Sequence, residues 1–232
     1  MKLGLMGDIH GNAYALRVVL DAASCANVQK LLITGDLIGY YFSPLKVVEM
    51  LNEWDAFIVR GNHEEMLKIA HKDSSYLESV DARYGSGLRL AIEQLSPEQI
   101  TRLCELEHPL GMVFDDIKIL LCHGSPWDLD QYVYPNAGNE LIEKCSDSEY
   151  DLVVMGHTHY PMKRMIGGTC LVNPGSVGQP RNREPGAHWA IFDTETRAIE
   201  FRCETYDMNE LIKDCQVRHP GLPYLANVLE RK

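Results

Sequence analysis

Six apolar runs in this 232-residue chain stop in the same way, each giving out into a short cluster rich in glycine and in metal-binding side chains. LGLM leads into GDIHGN, LLIT into GD and FIVR into GNHE; ILLC leads into HGSP, LVVM into GHTH and CLV into NPGS. In α/β proteins the functional crevice lies beyond the carboxyl ends of the strands, where loops from several strands converge. If these runs are strands, Asp8, His10, Asp36, Asn62, His63, His123, His157 and His159 meet in one place although they lie far apart in the chain. The glycines are expected to let the backbone reverse sharply there, so that the next side chain points back over the strand end.

The segments between these clusters alternate as βαβ units do. KLGLM, KLLIT and AFIV read as strands. AYALRVVLDAAS has helical spacing at Leu16, Val19, Leu20 and Ala23. SPLKVVEMLNE reads as a helix with Ser43 as N-cap and Pro44 at its first position. Residues 64–107 read as mostly helical, with a capping box at Ser96 to Gln99. Beyond them the pattern changes to hairpins turning at Asp115-Asp116, at Gly167-Gly168 and between HWAIFD and AIEFRCETY. A helix over 137–147 and the strand DLVVM lie between the first two, and short helices close the chain. A parallel half followed by a hairpin-rich half predicts an α/β fold of two packed sheets with helices outside, in one domain over 1–232.

Length and composition agree with this. A chain of this size buries roughly 70–75% of its unfolded surface and needs no disulfide staples. Its seven scattered cysteines contain no C-x-x-C pair, which suits reduced thiols in a cytoplasm. No run is long and apolar enough for a membrane span, and MKLGLMGD has no signal-peptide pattern. The formal net charge of −11 argues against non-specific binding to nucleic acid, which relies on basic residues neutralising phosphates. A phosphorylated small molecule stays open as substrate, provided that bound cations supply the positive charge locally.

The clusters offer carboxylates, imidazoles and an amide but no cysteine, a donor set for Mn, Fe, Zn or Ni rather than for a thiolate zinc site. Seven such ligands are too many for one tetrahedral ion and suit two. Two-metal sites hydrolyse phosphate esters by in-line attack of a bridging hydroxide while the ions hold the phosphoryl oxygens.

With these motifs in this order, the chain resembles the calcineurin-like metallophosphoesterase superfamily, in particular its compact bacterial phosphodiesterase-like branch. The resemblance runs from Asp8 to His159 and continues through NPGSVGQPR. It implies a four-layer αββα sandwich of two mixed β-sheets flanked by helices. It implies that Asp8, His10 and His159 hold one divalent metal, that Asn62, His123 and His157 hold the other, and that Asp36 bridges them, with manganese the expected ion. His63 resembles the catalytic histidine, with Glu64 as a candidate partner. Asn12 would cap the first helix, and Asn12, Arg181 and Arg183 are candidates to meet substrate.

The implied activity is hydrolysis of phosphodiester or phosphoanhydride bonds of small molecules, nucleotides and dinucleoside polyphosphates among them. Two departures matter. Ile38-Gly39-Tyr40 stands where the related Ser/Thr protein phosphatases carry a phosphate-gripping arginine, and Tyr41-Phe42 replaces an expected Gly-Pro. A protein phosphatase is therefore the second reading. A catalytically silent scaffold of the same fold is the third, although such scaffolds lack ligands that are all present in this chain. Walker, dinucleotide-binding and serine-elbow motifs are absent.

Overall fold

The computed structural model describes residues 1–146 and 149–231. Its chain runs β1 (Lys2–Met6), α1 (Ala13–Cys25), β2 (Lys30–Ile33), α2 (Pro44–Leu51) and β3 (Ala56–Ile58). Four helices follow: α3 (Asn62–Ala70), α4 (Ser74–Tyr84), α5 (Gly87–Gln94) and α6 (Pro97–Cys104). Then come β4 (Leu110–Phe114), β5 (Ile117–Leu121), α7 (Asn139–Cys145), β6 (Leu152–Val154), β7 (Met162–Ile166) and β8 (Thr169–Asn173). The last elements are β9 (Ala187–Asp193), β10 (Ala198–Glu204), α8 (Asn209–Arg218) and α9 (Tyr224–Asn227).

The strands form two mixed five-stranded sheets, ordered β10-β9-β1-β2-β3 and β4-β5-β6-β8-β7. Period-2 alternation decides which side chains lie between them. Leu3, Leu5 and Leu32 point from the first sheet towards Ile117, Ile119, Leu121, Leu152, Val154 and Val172 of the second. The opposite faces are covered as well. Leu31, Ile33 and Trp189 pack with Leu16, Val19 and Leu67 of the helices, while Leu120, Val153 and Leu171 pack on Ile142 and Cys145 of α7. The predicted layers, helix–sheet–sheet–helix, are therefore present.

Most predicted elements match within a residue or two. Ser96 and Gln99 form the capping box. Asp115 and Asp116 both take positive φ (46° and 63°), as a tight two-residue hairpin turn demands. Ser43 stands at the N-cap of α2, but its side chain makes no capping bond, and Pro44 supplies the start. The helix predicted over 137–147 runs Asn139–Cys145, and residue 147 lies outside the described residues.

Direction is what places the site. β1, β2 and β3 are mutually parallel, and so are β5, β6 and β8. The six clusters named above follow the carboxyl ends of these six strands.

Candidate metal centre

Five of the clustered residues, Asp8, His10, Asp36, His157 and His159, take positive φ between 51° and 65°. Non-glycine residues are uncommon in this region, and such strain gathers at functional sites. The expected role of the glycines holds at Gly11, Gly35 and Gly175, with φ of 72°, 93° and 88°. Elsewhere the ligand candidates themselves make the reversal, and the glycine gives clearance. A Cβ on Gly61 would overlap the Asp36 carboxylate, and one on Gly156 would overlap the Thr34 hydroxyl.

The donor atoms fall into overlapping groups, Asp8/His10/His159 and Asp36/His123/His157, with all ligand atoms of a group within 4.8 Å of one another. His63 groups with His10 and Asp36 as well. Asp36 Oδ2 stands 3.7 Å from His10 Nε2 and 3.5 Å from His123 Nε2, between the two sets. Asn62 joins the second set, its Oδ1 2.9 Å from His123 Nε2. Every residue expected as a metal ligand is in this cluster, and every one is buried.

The hydrogen-bond pattern tests whether cations fit. His159 Nδ1 donates to Gln179 O at 2.6 Å, and His10 Nδ1 faces Ile38 O at 3.3 Å. A carbonyl only accepts, so each proton belongs on Nδ1, and both Nε2 atoms keep bare lone pairs. Those two lone pairs face each other across 3.1 Å. His123 repeats the arrangement: Nδ1 donates to Thr34 O at 2.6 Å, and Nε2 faces His157 Nδ1 at 3.1 Å and the Asn62 oxygen. Between His10 and His159, and between His123 and the Asn62 oxygen, an acceptor faces an acceptor with no proton between them. A cation resolves this, and backbone carbonyls orienting the distal ring nitrogen are usual behind metal-bound histidine.

Electrostatics agree. Burial holds His10 and His159 well below the ordinary histidine range, and lowers His123 to about 4 and His157 to about 3. The rings are thus neutral, the form that ligates. Burial also raises Asp8 well above the carboxylate range and Asp36 to about 8. Neighbouring positive charge would offset that cost.

Three expectations at the rim change. Glu64 does not partner His63; its carboxylate turns away and accepts from the backbone N–H groups of Asp36, Leu37 and Gly61. It fixes the backbone that carries Asp36. Asn12 caps α1 through Oδ1, accepting from Ala15 N, and its amide donates to Gly178 O and the Tyr206 hydroxyl. Its donors are used within the protein, so it has none left for substrate. Arg183 is exposed, whereas Arg181 lies over the site and donates to Gln179 Oε1 at 3.0 Å and the Tyr40 hydroxyl at 3.3 Å.

The Tyr40-Tyr41-Phe42 run divides. Tyr40 sets its ring edge-to-face with His10 at 4.6 Å. All three pack in the cluster of Leu211, Cys215 and Leu225 of the C-terminal helices, but only Tyr40 also meets the His10 ring.

Several residues of the site escaped sequence reasoning. Asn173 donates to Gly156 O and the Thr158 hydroxyl, and Ser176 donates to Asp8 O. NPGSVGQ therefore braces two ligand loops at once. Its place after a strand was the available signal.

The family model of the calcineurin-like phosphoesterase superfamily domain matches residues 1–197. The chain belongs to that superfamily. With it come the family's activity class, metal-dependent phosphoester hydrolysis, and its fold. The metallophosphoesterase of Sphaerobacter thermophilus superposes with a TM-score of 0.79 at 27% identity, over 100% of this chain and 98% of its own. A hypothetical protein of Pyrococcus horikoshii OT3 shares the fold with a TM-score of 0.87 at 22% identity, over 99% and 98%. The phosphodiesterase YfcE of Escherichia coli (strain K12) is 25% identical over 86% of this chain and 91% of its own.

Proposed function

We propose that this phosphoesterase hydrolyses phosphodiester or phosphoanhydride bonds of small phosphorylated molecules at two divalent ions. The observation that carries the reading is Asp36, one carboxylate standing between the bare nitrogens of His10 and His159 on one side and that of His123 on the other. Asp8, His10 and His159 would hold one ion, Asn62, His123 and His157 the other, and Asp36 both. The donors are nitrogen and oxygen only, which suits Mn, Fe, Zn or Ni, and manganese is the ion we propose. When bound, two such ions supply positive charge to the phosphoryl oxygens and make water nucleophilic at neutral pH.

The chain supplies the rest. Arg181 forms no salt bridge among the described residues, so its guanidinium is free to meet a phosphoryl oxygen. It would supply, from the loop after β8 and beside Tyr40, the cation missing at Ile38-Gly39-Tyr40. His63 lies at the start of α3, where its N–H donates to Asp36 Oδ1 at 2.8 Å, so its ring is fixed beside the ligand sets. Its Nδ1 is buried without a partner, and burial lowers it to about 3. An arriving phosphate raises the proton affinity of that ring, which suits it to protonate the leaving oxygen. No helix among the described residues is long and apolar enough to cross a membrane. The seven free cysteines support a cytoplasmic setting.

The test is hydrolysis of bis-p-nitrophenyl phosphate by chelator-stripped protein, before and after adding Mn²⁺, with the monoester alongside. Metal-restored turnover of the diester is expected. Preference for the monoester would favour the protein-phosphatase reading. Silence on both despite two bound ions would favour the scaffold.

A further inference from the structure

The loop between β5 and α7 carries Tyr132-Val133-Tyr134. In an extended trio, alternate side chains point to opposite sides. Val133 is buried in the α7-facing core, so Tyr132 and Tyr134 are both turned outwards, 44% and 41% exposed. Their rings stack at 5.7 Å with planes 14° apart. The stack begins at the candidate metal centre, where the Tyr132 ring lies 4.0 Å from the His157 ring. Tyr160 closes its outer end, edge-on to Tyr134 at 5.9 Å.

Single exposed aromatics are ordinary on a protein surface, but this arrangement is built. The buried valine pins the trio, and the pair forms an aromatic stack leading outwards from a ligand histidine. A second aromatic group also borders the centre. There Tyr40, Tyr84 and Tyr224 meet edge-to-face, and Tyr224 is tied through its hydroxyl to Arg83 O at 2.8 Å. Tyr40, the member of that group that touches His10, is buried, whereas Tyr132 and Tyr134 are both exposed. Arg181 lies near enough to Tyr132 for its charge to act on the phenol. A phosphate held at the ions and Arg181 would therefore have the tyrosine strip beside it.

We propose that Tyr132 and Tyr134 bind the planar base of a nucleotide, so that the substrates are nucleoside phosphodiesters or phosphoanhydrides. The proposal rests on the phosphoesterase reading above and adds the specificity. Stacking is the suitable recognition, because any base presents a π-face and tyrosine offers a rigid ring at small entropic cost.

The test compares AMP with ribose 5-phosphate by calorimetry on manganese-loaded protein. AMP is expected to bind roughly 5- to 150-fold tighter, the range for stacking one base. Tyr134→Leu should shrink that ratio several-fold, and Tyr134→Trp should keep it, which a merely structural role for the loop would not produce. Tyr134 is the better choice than Tyr132, because it does not touch His157. Upfield shifts of the adenine protons on binding give a second readout. Equal affinities for the two ligands in the unmodified protein would overturn the platform and leave the phosphoesterase reading intact. If neither ligand bound, both would fall.

Discussion

His63 and Glu64 are neighbours with unrelated tasks, because the first turn of α3 points them in different directions. Glu64 accepts three backbone N–H groups and so holds the loop that presents Asp36. His63 brings an unpartnered nitrogen to the centre and needs no carboxylate beside it. On the proposed assignment, His63→Ala should retain both metals and lose about 10²–10⁴-fold in kcat. Metal analysis alongside steady-state kinetics checks this. Unchanged kcat would remove His63 from catalysis, and loss of metal would make it a ligand, as its grouping with His10 and Asp36 allows.

The C-terminal helices are docked by the loop after β2. Tyr41 is fully buried and donates its hydroxyl to Leu225 O at 3.1 Å, and Phe42 stacks on His219 at 5.9 Å. The pair that replaces the expected Gly-Pro therefore anchors α8 and α9, while Tyr40 in the same run serves the site. Phe42→Ala should cost about 3–5 kcal/mol, the usual range for truncating a buried phenylalanine. Hydrogen exchange should show the loss concentrated over 209–227, with β1 and β5 still protected. An unfolding free energy within about 1 kcal/mol of the original would show that the tail docks by other contacts.

Burying so many ionisable groups together makes the stability of the metal-free protein pH-dependent in two opposed ways. His123, lowered to about 4, stays neutral in the fold while the unfolded chain takes up protons below about 6.5, so stability falls as pH drops through that window. Asp36, raised to about 8, keeps its proton in the fold while the unfolded chain has lost it above about 4, so stability falls as pH rises towards 8. Cations compete with the protons on Asp8 and Asp36, so Mn²⁺ should stabilise more at pH 8 than at pH 5.5. At a hundredfold excess over Kd, about 2.7 kcal/mol raises Tm by roughly 5–10 °C. Thermal scans with and without Mn²⁺ at both pH values check this. An equal or larger gain at pH 5.5 would contradict the site chemistry.

The clusters at the strand ends, the two-sheet α/β architecture and the hairpin turns were legible from residues alone. They follow from short-range rules: period-2 alternation, turn chemistry and the need to bury apolar runs. The seven ligand candidates were legible for the same reason, since strand ends converge once the strands are parallel. Other features depend on which atoms the packing brings together across long stretches of chain. Glu64 turning from His63 to the backbone of Asp36, the spent amide of Asn12 and the brace from Asn173 and Ser176 are of this kind. So are the split of Tyr40 from Tyr41-Phe42 and the tyrosine strip beside His157. A hydrogen bond or ring contact is settled to within an ångström by residues as far as 194 positions away, and no local pattern records that.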